Sequence, residues 1–147
     1  MKSKRHLLMV VVFVSAAALW LGHVALAQKA ETFSVRLSPV PIDATMMARI
    51  AGSGSATATL TGKRLTITGN FSGLRSAATD AHIHRGAKGI RGPAILDLTV
   101  SKGTSGSVTG TLELTAEQIE DLRNSRFYIQ INSERATDGN LWGWLLQ

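Results

Sequence analysis

The chain has no cysteine. Disulfides, thiolate metal ligands and cysteine nucleophiles are therefore excluded together, and stability must come from a packed core. Histidine is nearly as scarce, with four in 147 residues and only His82 and His84 beyond residue 27. A copper–zinc dismutase type of centre needs several imidazoles around a redox copper, so it cannot be built. There is no Gly-x-Ser-x-Gly elbow. Gly52-Ser53-Gly54 and Gly103-Thr104-Ser105-Gly106 have turn spacing, which leaves a Ser-His-Asp hydrolase without support. No run of Lys and Arg is interleaved with aromatics, which argues against nucleic acid as a partner. Internal repeats and linker-like stretches are also missing, as expected of one domain.

What is present begins with an export signal. Lys2, Lys4 and Arg5 precede an apolar run from Leu7 to Leu21, and Ala25-Leu26-Ala27 supplies the small residues that a signal peptidase reads. Residues 1–27 are expected to be a signal peptide cleaved before Gln28, leaving a domain at 28–147 that is periplasmic or extracellular. The alternative is an uncleaved anchor, but the run falls short of the roughly 20 residues of a membrane span. No Cys follows the cleavage site to carry a lipid, and there is no twin-Arg pair. The chain has 16 Lys and Arg against 10 Asp and Glu; without Lys2, Lys4 and Arg5 the net charge falls from +6 to +3. So small an excess says little about an anionic partner.

Beyond residue 27 the pattern is strand after strand. Thr32 to Leu37 alternates apolar and polar, as a half-buried strand does. Residues 42–54 read as an irregular connection in which Met46, Met47 and Ile50 could form one helical turn or a partly buried loop. Ser55–Thr61 and Lys63–Gly69 form a hairpin across a Gly turn, with Asn70 to Leu74 ending the second strand or carrying it past a bulge. Ala94–Val100 and Ser107–Leu114 follow. Thr115-Ala116-Glu117-Gln118 is a capping box that opens a helix near 115–124. Phe127–Asn132 is the next strand, and Asp138-Gly139 is expected to turn into a last strand, Leu141–Leu146. The expected fold is all-β: an antiparallel β-sandwich, Greek-key/Ig-like or barrel-like, with one short helix. Trp142 and Trp144 share a face and are expected to close the core.

The chemistry concentrates in Ala81-His82-Ile83-His84-Arg85-Gly86-Ala87-Lys88-Gly89-Ile90-Arg91-Gly92-Pro93. Residues i and i+2 of a strand face one side, so Asp80, His82 and His84 point together. One reading is a Cu or Zn site with these three as ligands, which Asn132 or Glu134 could approach if the strands pair suitably. Against it, the histidines could brace the glycine loop, whose Gly residues permit positive φ and close backbone approach. A third reading takes Arg85, Gly86, Lys88, Gly89, Arg91 and Gly92 as a basic loop that binds a carboxylate, a phosphate or an anionic glycan. Glu117, Glu120 and Asp121 read as solvated helix charges rather than a catalytic pair.

These features, in this order, resemble the CHRD domain, named for its repeats in chordin and also found singly in secreted bacterial proteins. Ser55 to Leu60 is similar to its early Gly/Ala/Thr strand, and Phe71-Ser72-Gly73-Leu74 to its "ySGL" step. Ala81-His82-Ile83-His84 with Gly86, Gly89, Gly92 and Pro93 resembles its central motif. Gly110 to Gln118, Phe127 to Ile131 and Asp138 to Gly143 match its closing strands. The resemblance implies a β-sandwich-like domain outside the cytoplasm, without an assigned activity: a binding or structural module whose partner is a protein, a glycan or a metal. The family's strand often ends in a histidine where this chain has Asn132, so a third imidazole of any cluster is missing.

Overall fold

The alternating segments do pair. In the computed structural model, which describes residues 28–41 and 43–147, they form β1 (Glu31–Leu37), β2 (Ser53–Thr61), β3 (Arg64–Ser72), β4 (Ala78–Arg85), β5 (Ala94–Val100), β6 (Gly106–Glu113), β7 (Phe127–Ser133) and β8 (Ala136–Trp144). The expected signal peptide lies outside the described residues. Two helices interrupt the strands: α1 (Ala44–Met47), the single turn foreseen in the irregular connection, and α2 (Ala116–Arg123), which opens on the full capping box of Thr115 and Gln118. No helix among the described residues is long and apolar enough to cross a membrane.

All eight strands join one antiparallel sheet in the order β1-β2-β3-β6-β5-β4-β7-β8. The sheet curls until its edges meet. Two backbone bridges, Ser34 to Leu146 and Ser38 to Trp142, tie β1 to β8. Gly143 makes this approach feasible, because a Cβ there would collide with the Arg36 carbonyl and the Val35 side chain. The architecture is thus the barrel-like form of the expected all-β fold. Inside it, Phe33, Val35, Leu37, Leu60, Leu65, Ile67, Ile83, Ile129, Ile131 and Leu141 are buried, with Leu122 of α2. Burial of each such branched side chain contributes about 1.5–3 kcal/mol relative to exposure.

One expected turn is absent. Asp138-Gly139 is not a turn but lies inside β8; the turn is at Glu134-Arg135, where Ser133 pairs with Ala136. Four residues of β8 (137–140) there face the single residue Asn132 of β7, and Gly139 takes φ +125° against the Trp142 ring. The left-handed glycine that suggested a turn serves instead to bend a strand. Of the two forms expected for residues 70–74, the structure shows the strand end: β3 stops at Ser72 in unbroken register with β2, without a bulge.

Both ends of the described chain meet at one residue. Glu31 accepts hydrogen bonds from Arg123 Nε at 3.0 Å and from Gln147 Nε2 at 3.3 Å. The Arg123 bond, opposed by desolvation and helped by the Arg123 charge, holds the Glu31 carboxyl below its usual value.

Candidate functional site

Strand β7 is buried along its whole length. Its odd residues enter the barrel. Its even residues, Tyr128, Gln130 and Asn132, lie on the outer face, where alternation alone would expose them to water. They are covered because the segment before β2 folds over that face. Ser38 pairs with Trp142, Asn140 Nδ2 donates to the Ala51 carbonyl at 2.8 Å, and Arg75 Nε donates to the Ile50 carbonyl at 3.2 Å. Met46 and Ile50 then pack with Tyr128, Ala136 and Trp142 in a second, smaller core. Trp142 and Trp144 do share a face, but they belong to this outer layer and not to the barrel interior.

Strand register arranges the outer face in cross-strand rows. His84 of β4 lies opposite Tyr128 of β7, which lies opposite Trp144 of β8. The rings follow one another at centroid distances of 5.0 and 4.9 Å. The next row runs Asp97, His82, Gln130, Trp142. Hydrogen bonds thread it: Trp142 Nε1 donates to Gln130 Oε1 at 2.7 Å, Gln130 Nε2 donates to Asn132 Oδ1 at 2.8 Å, and Asn132 Nδ2 donates to Asp80 Oδ1. His82 stands between two carboxylates, with Nε2 2.9 Å from Asp80 Oδ1 and Nδ1 3.0 Å from Asp97 Oδ1. Thr79 Oγ1 donates to Asp80 Oδ2 at 2.7 Å. Burial would raise the Asp80 pKa, but the bonds from Thr79, Asn132 and His82 outweigh it and leave the carboxyl below its usual value.

The aromatic row grips the glycine loop. His84 Nδ1 is 2.9 Å from the Gly92 carbonyl oxygen. A carbonyl can only accept, so Nδ1 carries the proton and Nε2 is the bare nitrogen. Burial is the main force that depresses the His84 pKa, with the His82 and Arg91 charges adding to it and the Gly92 bond opposing. His84 Nε2 is buried without a hydrogen-bond partner. The Tyr128 hydroxyl accepts from the Gly92 N–H at 3.0 Å and donates to the Gly92 carbonyl at 3.2 Å. Trp144 Nε1 donates to the Gly86 carbonyl at 3.3 Å. The three glycines have different reasons. A Cβ on Gly86 would strike the Ile90 carbonyl and one on Gly92 the Arg85 carbonyl, whereas Gly89 has open space but φ +82°.

The sequence-predicted site residues are thus brought together, but chiefly to one another. His82 is bound by Asp80 and Asp97, and His84 by the loop, with the two rings edge to face at 6.1 Å. Among the described residues, no group of three or more His, Cys, Asp or Glu could hold a metal ion. Asn132 does reach Asp80, whereas Glu134 is tied through its backbone to Ala77. Two of the three loop cations are engaged within the fold. Arg85 pairs with Glu117 at 2.7 Å and with Asp121 at 2.6 Å; Arg91 lies over the Trp142 ring at 5.6 Å and donates to the Asp138 carbonyl. Asp121 is consequently buried and ion-paired, not solvated as expected.

Asp97, Tyr128 and Gln130 join the site unannounced by any motif, although their alternation with Leu96, Ile129 and Ile131 is a usable signal. A pocket of 140 Å³, lined by Val40, Gly89, Arg91, Trp142 and Trp144, lies between the loop and the barrel. Ile90, the loop residue between two of these, is 63 % exposed and Val40 is 45 % exposed.

With the braced loop and its two rows in place, the comparison with known families becomes informative. A model of the CHRD domain matches residues 25–145. The chain belongs to the CHRD domain family. No curated protein and no solved structure matches it. Membership of this family suggests a binding or structural module. The CHRD signature histidines therefore have a physical role in this member: one links two carboxylates and the other holds the glycine loop.

Proposed function

We propose that this CHRD protein is exported through its N-terminal signal peptide and works in the periplasm or outside the cell as a non-catalytic binding module for a protein or glycan partner. Its contact surface is the loop tip, Ala87 to Arg91, with the tryptophan-lined pocket beside it. The observation that carries this reading is a contrast within the loop. Three side chains from three strands, His84, Tyr128 and Trp144, are spent on fixing its base. Its tip meanwhile presents Ile90 to solvent beside an apolar pocket. Rigid mounting lowers the ordering cost of binding, and an exposed apolar residue on a fixed loop is a natural contact point.

Two measurements test it. Fractionation with mass analysis should find a processed chain beginning at Gln28 outside the cytoplasm; an unprocessed chain inside it would refute export. Glycan and peptide arrays should show selective binding that Ile90→Asp removes without changing the melting temperature. Equal binding by both proteins would place the contact elsewhere.

A second reading, Cu or Zn binding, has only the unpartnered Nε2 of His84 in its favour, because Asp80, His82 and His84 do not converge as three ligands. Calorimetric titration with Cu(II) and Zn(II) should then show one-to-one binding that a His82→Ala/His84→Ala double variant loses. No heat of binding would remove it.

A further inference from the structure

Residues 28–30 lie ahead of β1 and are exposed. The strand behind them is fixed, because Glu31 is held by Arg123 and by Gln147. Gln28 thus projects beyond the sheet, yet its side chain turns back to it. The carboxamide lies over Gly62 in the β2–β3 turn, where a Cβ would run into Oε1. Gly62 takes φ +63°, so one residue meets two demands, a left-handed turn and room for the amide above it.

The carboxamide borders a cavity of 660 Å³ lined by Gln28, Lys29, Glu31, Gly62, Lys63 and Arg123. One carboxylate there faces three cations, and it is already engaged by Arg123. The inference rests on the export reading, in which Ala25-Leu26-Ala27 directs cleavage before Gln28. That cut would add an α-amine next to Lys29, at the lip of a cationic cavity. α-Amines ordinarily titrate at about 7.7–8.0, and neighbouring positive charge favours the neutral, nucleophilic form.

We propose that the processed chain closes Gln28 to an N-terminal pyroglutamate. The α-nitrogen attacks Cδ of its own side chain and forms the C–N bond of a five-membered lactam. The Cδ–Nε2 bond breaks, and ammonia leaves with the two amide hydrogens and one from the amine. Nothing is oxidised or reduced, and no co-reactant is consumed. Both reacting groups belong to one residue, so proximity is built into the covalent structure. The fold contributes exposure of the terminus and a cationic setting that a further ammonium would crowd. The lactam removes that charge. It also leaves no free α-amine for an aminopeptidase, so the exposed residues ahead of β1 are shielded from trimming.

The test expresses the full-length gene and labels the protein at once, in both the cytoplasmic and the exported fractions, with an amine-reactive reagent. Early labelling keeps ring closure during handling from imitating the result. Intact mass and the mass of the N-terminal peptide are then read. The exported chain should weigh one ammonia less than Gln28–Gln147 and carry label on Lys29 but none on its α-nitrogen. Gln28→Ala, an exposed change, should leave the chain folded, take the α-label and show its full mass. A chain that begins at Gln28 with a labelled α-amine and full mass would overturn the cyclisation while leaving export intact. Cleavage at another bond would also overturn the cyclisation alone. A chain that keeps residues 1–27 and stays in the cytoplasm would overturn the export reading and the cyclisation with it.

Discussion

Strand β7 has two buried faces, and different forces hold them. Ile129 and Ile131 face a barrel interior of branched apolar side chains. Tyr128, Gln130 and Asn132, between and beside them, face a layer of hydrogen-bonded rings and amides. The first face is specified by volume and is indifferent to which methyl group fills it. The second is specified by partners, because Trp142, Gln130, Asn132 and Asp80 are joined donor to acceptor and the loss of one orphans the next. The CHRD motif sits on the second face. The face that could least tolerate change is thus also the one that fixes the glycine loop.

The contrast can be broken by substitution. Ile129→Ala should have the largest effect, about 2–5 kcal/mol of unfolding free energy in chemical denaturation, from lost transfer energy and a cavity. Gln130→Leu keeps volume but strands Trp142 Nε1 and Asn132 Oδ1, and should cost about 1–3 kcal/mol. The volume-conserving Ile131→Leu on the opposite face should cost less than about 1.5 kcal/mol. Equal losses for these two would erase the distinction between the faces. Tyr128→Phe removes one hydroxyl and should cost about 1 kcal/mol, while amide exchange at Gly92 accelerates more than in the strands.

The smallest effect is with pH. The folded-state pKa of His84 lies below the ordinary imidazole value of 6.5, so its contribution is complete above that pH. As pH falls from 6.5 through the folded value, the unfolded chain takes up the proton first and stability declines. Asp80, depressed from 3.8, adds a further loss only below that pH. The melting temperature should therefore decline in two stages, and His84→Asn should flatten the first alone. A single decline confined to below pH 4 would remove His84 from the account.

The strands and the helix were legible because alternation and the capping box at Thr115 are local signals. The shared face of Asp80, His82 and His84 was legible for the same reason. What covers that face was not. The connection between β1 and β2 reaches it partly through main-chain contacts at Ser38, Ile50 and Ala51, which leave no periodicity in the sequence. Alternation alone therefore gives no sign that Gln130 and Asn132 are buried. Asp138-Gly139 misled because a glycine at positive φ serves a turn and a strand bulge equally well. The engagement of Arg85 by Asp121 depends on where α2 lands across the barrel end, which is a tertiary outcome.

The shared grip of Arg123 and Gln147 on Glu31 has a consequence for architecture on a larger scale. Because Gln147 meets the first residue of β1 there, the two ends of this unit lie close together. Such a unit can be spliced into a surface turn of another protein, or strung beside copies of itself, without spreading its host's backbone. The glutamate then acts as a clasp whose release would loosen both strands leading to the join, so the strength of attachment and the integrity of the module would rise and fall together.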